Sequence, residues 1–597
     1  MMLTLLFMFQ FSLVIKEHGN QYDINEYYTD NSGTSETVWK EKIIDFKTTF
    51  PESDEYTLLI GSKSGKVGKI AMEWCTYTKR ELAVLRSLED YSKDLENVPE
   101  LILVDSEYLD IKKDVKVLKA LAEDGVNIVF CDIPIASDIK KSVELQELLG
   151  ITEVVEEDIE VESIRLFPGL LLGGEVIYEA DKDDSKGMDY IMPWYMLDSG
   201  TKTYMMGVFE SDYIIENELK NEDLPAIIWR NSVGEGKVFV VNGDYLHDST
   251  GLGFLNGFML EINPVDIYPV INAQNLSVAN YPGFASENDE EMQKIYSRTQ
   301  RNMFRDTIWP SLVSTTQNSN MKLTCFSTPQ YKYTDANEPD GEELVFYLKQ
   351  FKEVGAEAGL SLVYGDGISL KEKIERDNVF YSSLISNYKY GAVYIDNDNI
   401  QSFLKMSDNT MLKDVSTIVC TENDSLPMVS YCADDITVQR VTNDGFSHTY
   451  TENLRMRSLE SALGYTNVVL DMNRVVWPEN DTDHWHVISK TFSSNIETYW
   501  SKFKMFDSTT LSESNERVRS FLAMDYDKSY KDGVLTVNIT NQSGKNWFIL
   551  RTHGETISEI SGATYKKIED NAFLIEAKSP TIEIELKKED EFLYTLP

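Results

Sequence analysis

The sequence predicts an α/β protein of several domains that ends in a small antiparallel β-sandwich. The chain has 597 residues, of which 42% are hydrophobic, so at roughly 150 residues per domain it can form several cores. Between about residue 51 and residue 522, apolar strand-like runs alternate with amphipathic helical stretches. From Tyr526 onward the hydrophobic period becomes two, which is typical of antiparallel strands with one buried face.

The first 16 residues have the pattern of an export or anchoring segment. Leu3–Ile15 is apolar except for three polar positions, and it is too short to span a bilayer of about 30 Å as a helix. Its length fits the hydrophobic part of a signal peptide, although no Lys or Arg precedes it and no small-residue cleavage site follows. A signal peptide, a short anchor and a buried N-terminal element remain open. We expect a membrane-anchored or extracellular protein in which residues 17–50 form a polar tether.

The charge balance excludes one class of partner. The chain has 56 Lys and Arg against 99 Asp and Glu, which gives a net charge of −43. Such a surface repels phosphate backbones, so nucleic acid is not an expected partner, whereas a cationic ligand would be attracted. The five cysteines show no metal-binding spacing, and no cofactor is predicted.

Residues 51–262 carry the signals of a parallel α/β domain. We predict helices at 79–95, 115–125 and 251–262, and we interpret the Gly- and Ser-rich segment 61–67 as a turn because it is one residue short of a phosphate-binding loop. The predicted strands are YTLLIG (56–61), ELILVD (100–105), VNIVFCDIP (126–134), AIIWRN (226–231) and GKVFVVNGD (236–244).

The positions of Cys131 and His247 give this domain a resemblance to glutamine amidotransferases. Cys131 ends the third strand and His247 follows the last, where glutamine amidotransferases place their nucleophile and base. The predicted strand order also resembles that family. However, the nucleophile's sharp turn needs small neighbours, and here Phe130 and Asp132 flank the thiol. Because Asp132 would also raise the pKa of the thiol, we predict an amidotransferase-like fold in which Cys131 is a core residue.

Residues 263–522 indicate an incomplete α/β barrel. An amphipathic helix at 342–355 closes on Gly355, and Thr510 and Glu513 form a capping box that opens the last helix of a helical block at 484–522. Residues 526–597 then form the predicted β-sandwich. The predicted strands of the barrel are 265–271, 321–328, 356–365, 390–396, 416–421 and 466–472.

The segment EELVFYLKQFKEVG followed by AEAGLSL (342–362) resembles polysaccharide deacetylases of the NodB type. The resemblance implies a metal-binding His at the position of Ser361 and a second at Gly365. It also implies an Asp pair on an earlier strand, where this chain has Asn272, Ala273 and Gln274. At the end of the last barrel strand it implies a His that acts as the general acid, where this chain has Asp471. With these residues replaced, the resemblance favours a deacetylase-like fold that lacks the family's metal chemistry.

The whole chain resembles an uncharacterised bacterial family encoded beside Pel-type exopolysaccharide genes, whose members look like Pel-type deacetylases. The matching features are Leu459–Met472, the following Trp485 and Asn546–Arg551, and the resemblance covers about residues 50–590. It implies an amidotransferase-like domain, a deacetylase-like barrel and a β-sandwich.

Acidic and aromatic side chains near the ends of the barrel strands supply the candidate site residues. Carboxylates can act as acids or bases and can accept hydrogen bonds from sugar hydroxyls, while aromatic rings stack on sugar faces. A buried core position is the alternative for each aromatic residue, and a solvated loop is the alternative for each acid. The candidates are Asp396, Asp398 and Asp471 for catalysis, Trp477, Trp485, Asp481 and Asp483 for ligand binding, and His484 with His486 as a metal pair.

The leading functional prediction is a non-catalytic or degenerate deacetylase-like protein that binds or handles an exopolysaccharide during its synthesis or export. A Pel-like polymer with cationic amino sugars would suit the charge of the chain. One alternative is an active carbohydrate esterase or hydrolase that uses the barrel carboxylates. Another is an envelope scaffold that binds only proteins. The expected partners are a polysaccharide and, beside it, an exopolysaccharide synthase or other envelope proteins.

Overall fold

The computed structural model describes residues 43–44, 56–91, 98–179, 190–333, 337–365, 367–385, 390–406, 411–421 and 426–588. The predictions for residues 1–16 and for most of the tether 17–50 lie outside these ranges. The chain forms two compact units. We call Ile271–His448 with Tyr465–Leu522 the half-barrel unit, and Trp39–Val270 with Thr449–Gly464 and Ala523–Pro597 the composite unit. None of the helices within the described ranges has the length and apolar character that a membrane crossing requires.

The composite unit contains a ten-stranded mixed sheet whose parallel part confirms the predicted α/β domain. Its parallel strands, in spatial order, are Ile43–Ile44, Leu82–Leu85, Thr57–Ile60, Leu101–Val104, Asn127–Phe130 and Gly236–Val241. The predicted strand at 226–231 is present as Ala226–Val233, but it runs antiparallel to Gly236–Val241. It begins an antiparallel extension whose other strands the sequence did not predict, namely Lys202–Val208, Ser163–Leu166 and Val176–Glu179. Ile151–Glu160 and Ile191–Leu197 form a separate antiparallel pair.

The helix predicted over 79–95 is wrong. Leu82–Leu85 is a buried strand between two parallel neighbours, and the helix lies earlier, at Lys66–Thr78. A four-residue apolar run buried on both faces shows no period that separates strand from helix. The other helices of the unit are Ile111–Glu123, Ala136–Ile139, Val143–Leu149, Ser211–Glu216, Gly251–Ile262 and Tyr450–Leu463.

Two four-stranded antiparallel sheets complete the composite unit and share one hydrophobic cluster. One sheet holds Asp266–Val270, Trp547–Arg551, Ala572–Ala577 and Ala563–Glu569, and the other holds Asp525–Lys531, Val534–Thr540, Thr581–Lys588 and Glu555–Ser561. The strand at 265–271 was predicted from the sequence as part of the barrel. It pairs instead with Trp547–Arg551, and the unit boundary falls after Val270.

The half-barrel unit is built on an open sheet of mostly parallel strands, which agrees with the predicted incomplete barrel. In spatial order the strands are Val429–Ala433, Ile436–Arg440, Thr417–Cys420, Ala392–Ile395, Glu357–Ser361, Thr324–Ser327, Ala273–Ala279, Tyr465–Asp471 and Asn443–Asp444, with Ser508–Thr509 beside Ala273–Ala279. The helices are Asp289–Tyr296, Gln300–Met303, Trp309–Asn318, Gly341–Val354, Leu370–Leu384, Ile400–Leu404, Asn473–Val476, Trp485–Thr498 and Leu511–Ala523, and Phe304–Ile308 is a π-helix.

The last helix closes the amino-terminal side of the half-barrel. The predicted capping box is present, because the Thr510 amide donates to Glu513 at 3.0 Å. The buried Glu357 carboxylate accepts from the backbone N–H and the hydroxyl of Ser512, at 3.0 and 2.6 Å. Leu511 joins the apolar cluster inside the sheet, which also contains Phe326. The interior is therefore packed, and side chains at the carboxyl ends of the strands are the ones left to form a site.

Candidate functional site

A chain of hydrogen bonds crosses the carboxyl edge of the half-barrel sheet. The Ser361 hydroxyl donates to Asn280 Oδ1 at 2.6 Å, and Asn280 Nδ2 donates to Asp471 Oδ1 at 2.8 Å. The strands of Ser361 and Asp471 stand three positions apart, a distance of about 14 Å across a flat sheet. Asn280 follows the strand Ala273–Ala279, which lies between these two strands, and its single amide contacts both residues, so the three side chains lie on the same side of the sheet. We call this edge the mouth.

Asn280 is suited to this bridging position. It directly follows the strand Ala273–Ala279 and adopts a left-handed backbone conformation with φ of 55°. Asparagine tolerates this conformation better than most residues with a side chain. Only 3% of Asn280 is exposed, so its amide is committed to the two hydrogen bonds and holds Asp471 in place.

Three carboxylates at the mouth, those of Asp471, Asp396 and Asp444, are close enough to interact electrostatically. Burial raises the pKa of Asp471, against the hydrogen bonds from Asn280 and the Asn473 amide, and the charges of Asp444 and Asp396 raise it further. Burial and the neighbouring charge of Asp398 raise the pKa of Asp396. Asp471, Asp396 and Asp444 nevertheless keep part of their surface accessible to solvent. The mouth therefore concentrates negative charge that a cation or a hydrogen-bond donor can reach.

Tyr394 lies beneath these carboxylates. Its strand pairs with that of Ser361, and only 5% of the residue is exposed. Burial raises the pKa of the Tyr394 phenol well above its usual range, and the charges of Asp471 and Asp396 raise it further. The phenol thus remains protonated at physiological pH, within the electrostatic influence of both acids.

Arg474 fixes the far side of the mouth. Its guanidinium contacts Asp444 at 2.8 Å and Asp483 at 2.7 Å. Burial alone would raise the pKa of Asp483, but the hydrogen bonds from Arg474 and from the Glu479 amide outweigh it and lower that pKa. Asp483, predicted as a ligand-binding residue, is 5% exposed and acts as the partner of Arg474.

An aromatic pair stands at the same edge. The rings of Tyr331 and Trp477 are 4.8 Å apart, and Lys332 Nζ is 4.9 Å from the centre of the Trp477 ring. The buried Glu287 carboxylate accepts from the backbone amides of Tyr331 and Lys332, at 2.9 and 2.7 Å, and so fixes the loop. Both rings are partly exposed, as a surface that stacks on sugar requires.

The residues at the deacetylase metal positions do not fit a divalent metal. Ser361 is fully buried and its hydroxyl is already used by Asn280. Gly365 offers no side chain, and a Cβ there would lie 3.2 Å from the Tyr331 ring. A hydroxyl and an amide are poor substitutes for imidazole and carboxylate ligands. Among the described residues, no group of three or more His, Cys, Asp or Glu is arranged to hold a metal ion.

The remaining predicted residues lie in the core or are at least partly exposed at the surface. Trp485 is 5% exposed and packs edge-on against Phe446, so the expected stacking role is replaced by a core position. Asp481 and Asp398 are exposed. The remaining candidate pair is His484 and His486, whose ring centres are 5.7 Å apart, with His484 Nε2 3.8 Å from Asp481.

Sequence reasoning missed Asn280, Tyr331 and Tyr394. Asn280 and Tyr331 lie in loops that follow parallel strands, and Tyr394 is the third residue of the strand Ala392–Ile395. The position just after a buried parallel strand is the signal that could have found the first two.

Cys131 behaves as predicted. It is 1% exposed, and burial, with the charges of Asp132 and Asp105, raises the pKa of its thiol well above the usual value. A protonated, buried thiol is a poor nucleophile.

Comparison with known proteins gives a partial family match and several likenesses in fold. Residues 170–362 match the family described as "Uncharacterised protein conserved in bacteria (DUF2194)", which is less than half of the chain. No curated protein sequence matches.

The structure is similar to that of Agd3, described as a novel carbohydrate deacetylase, at 10% identity and a TM-score of 0.49, covering 89% of this chain and 99% of Agd3. A cytoplasmic protein from Salmonella typhimurium LT2 is 10% identical over 35% of this chain and 99% of its own, with a TM-score of 0.23. A ThuA-like protein from Bacteroides uniformis is 11% identical over 37% and 96%, also with a TM-score of 0.23. Likenesses at these levels do not transfer function.

Proposed function

We propose that the mouth of the half-barrel binds a polysaccharide, with a preference for a cationic amino sugar polymer. The observation that carries this proposal is the convergence of partly accessible carboxylates, led by Asp471 and Asp396, on the edge that also holds the Tyr331–Trp477 pair. Carboxylates accept hydrogen bonds from hydroxyl and ammonium groups, and aromatic rings stack on the apolar faces of sugars.

Charge supports the preference for a cation. A protein with a net charge of −43 attracts a polycation and repels a polyanion. At the mouth itself, burial raises the pKa of Asp471, and repulsion by the charges of Asp444 and Asp396 raises it further. A bound ammonium group relieves this repulsion, whereas an N-acetyl group does not.

The residues at the two expected metal-ligand positions argue against metal-dependent deacetylation. Ser361 and Gly365 take the places of the two imidazoles, and Asn280 takes up the hydrogen-bonding capacity of Ser361 and contacts Asp471. We therefore propose a degenerate, non-catalytic deacetylase-like protein that handles an exopolysaccharide, of a Pel-like type, during its synthesis or export.

Acid-dependent hydrolysis is the second candidate function, because burial raises the pKa of both Asp396 and Asp471. A general acid with a raised pKa beside a second carboxylate is the requirement of glycoside hydrolysis. Cleavage of the polymer that is lost in both Asp396→Asn and Asp471→Asn would establish this function.

The location follows from the sequence prediction for residues 1–16. We propose that the protein acts at the membrane or outside the cell, where it could also contact an exopolysaccharide synthase or other envelope proteins. A purely protein-binding scaffold would instead show affinity for envelope proteins and none for glycans.

Binding of amino sugar oligomers to the full-length protein tests the proposal. We expect partially deacetylated oligomers to bind at least about tenfold more tightly than fully acetylated ones, with the difference shrinking as salt rises. Asp471→Asn should reduce the preference for charge, and Trp477→Ala should weaken binding at every salt concentration because stacking is not screened. Glu375→Gln removes an exposed charge from the helix Leu370–Leu384 of the same unit and serves as the control. Absence of binding to either oligomer would refute the proposal.

A further inference from the structure

A separate cavity lies in the composite unit. Its volume is about 470 Å³, within the range of small-molecule sites. It opens where the strands Asn127–Phe130 and Gly236–Val241 end, which is the edge where α/β sheets bind ligands. The polar residues that line it include Asp132, Glu157, Tyr195, Asn242, Asp244 and His247.

The lining of this cavity is strongly acidic. Asp132, Glu157, Asp158 and Asp244 contribute four carboxylates, and no lysine or arginine is present among the described residues that line it. Such a cavity lowers the free energy of a cation and excludes an anion.

Asp132 is the most constrained of these acids. Its carboxylate accepts from the Ser106 amide at 2.9 Å. Burial raises its pKa, although that hydrogen bond and the charge of His247 act in the opposite direction. Burial and the charge of Asp132 also raise the pKa of the adjacent Asp105. A cation bound in the cavity would relieve the repulsion between these two acids.

Tyr195 supplies an independent sign of a ligand. Its residue is 1% exposed, yet its hydroxyl finds no hydrogen-bond partner among the described residues. Buried hydroxyl groups are normally paired, because an unpaired one loses its hydration without compensation. Tyr195 is itself one of the residues that line the cavity, and its pKa is raised first by burial and then by the charge of Glu157, another lining residue.

The geometry favours an organic cation over a metal ion. Among the described residues, no group of three or more His, Cys, Asp or Glu converges as metal ligands do. The cavity is far larger than the coordination sphere of one ion, and part of its wall is apolar, with Ile133, Met192 and Pro193. An apolar wall of this kind can pack against the carbon skeleton of an organic cation.

We propose that this cavity is a second ligand site, which binds a small hydroxylated organic ammonium ion. Its ammonium group lies among the carboxylates of Asp132, Glu157 and Asp244, and one of its hydroxyls pairs with the Tyr195 hydroxyl. The site is independent of the half-barrel mouth, and its ligand is a single small molecule, not a polymer chain.

Calorimetric titration of the full-length protein at low salt tests this proposal, with glucosamine as the probe and glucose as its uncharged counterpart. We expect glucosamine to bind at least about tenfold more tightly than glucose. Asp132→Asn and Tyr195→Phe, which both keep the size of the side chain, should each weaken glucosamine binding by about fivefold to tenfold. Asp124→Asn removes an exposed charge outside the cavity and should leave binding unchanged.

Asp471→Asn separates the two sites, because it alters the mouth and should not affect glucosamine binding in the cavity. Equal affinity for glucosamine and glucose would overturn the proposal. It would also be overturned if Asp132→Asn and Tyr195→Phe matched Asp124→Asn, or if Mg²⁺ or Ca²⁺ displaced the sugar at one ion per chain.

Discussion

Replacement of Asn280 by glycine should loosen the half-barrel mouth without straining its backbone. Asn280 has φ of 55°, a conformation that glycine adopts freely. The substitution removes the side-chain amide, which accepts from Ser361 and donates to Asp471. Both partners then lose a hydrogen bond at positions that protein atoms largely surround.

The expected effect follows from these two bonds. Ser361 is fully buried and its oxygen still accepts from the Val363 amide, but its hydroxyl proton loses its acceptor, which costs about 1–3 kcal/mol. The bond to the Asp471 carboxylate is charge-assisted and contributes about 1.5–3 kcal/mol, part of which water recovers because Asp471 is partly accessible. We expect the free energy of local opening to fall by about 2–4 kcal/mol, which accelerates hydrogen exchange roughly 30- to 800-fold.

Native-state hydrogen exchange is the appropriate assay, because a chain of two units does not unfold in a single step. The informative peptides cover the strands Glu357–Ser361 and Tyr465–Asp471. Asn320→Gly is the matched control, since Asn320 is exposed, belongs to the same unit and has φ of 53°. It reports the effect of an Asn→Gly change alone. Equal acceleration in Asn280→Gly and Asn320→Gly would refute the bridging role of Asn280.

Three further predictions concern single residues. Cys131, whose thiol pKa burial raises, should react with iodoacetamide at pH 8 at least about a hundredfold more slowly than in the unfolded chain, as mass spectrometry can show. The pKa of Asp483 is lowered in the folded protein, so its stabilisation is present above the unfolded pKa of about 4 and is lost as pH falls through the folded pKa. Asp483→Asn should therefore flatten the acid limb of a melting-temperature profile. Trp485→Ala should destabilise its surroundings by about 3–5 kcal/mol, seen as faster exchange in Trp485–Thr498, whereas Trp477→Ala should change exchange there little because its ring is partly exposed.

Much of the fold was predictable because its strands are buried apolar runs of ordinary length. The helix Gly251–Ile262 coincides with its predicted bounds, and the helix Gly341–Val354 differs from its prediction by one residue at each end. The separate antiparallel pair was missed because its strand Ile151–Glu160 is largely exposed and acidic, so the hydrophobic period gives little signal there. The pairing of Asp266–Val270 with Trp547–Arg551 is a contact across some 280 residues of sequence, which local pattern does not encode.

The site was less predictable than the fold. Asp396, Asp471 and Trp477 are candidates from the sequence because acids and aromatics near the ends of strands are visible there. Asn280 escaped notice because its role depends on the spatial order of the strands, which the local sequence pattern does not encode. Trp485 showed the opposite failure, since sequence alone does not distinguish an exposed tryptophan from a buried one.

Hydrogen exchange of the full-length protein with and without a partially deacetylated amino sugar oligomer is the most direct test of polysaccharide binding at the mouth. We expect protection of peptides that contain Asp471–Trp477 and Thr328–Tyr331, and loss of that protection in Trp477→Ala. Protection confined to other parts of the chain, or no protection at oligomer concentrations that saturate binding, would contradict it.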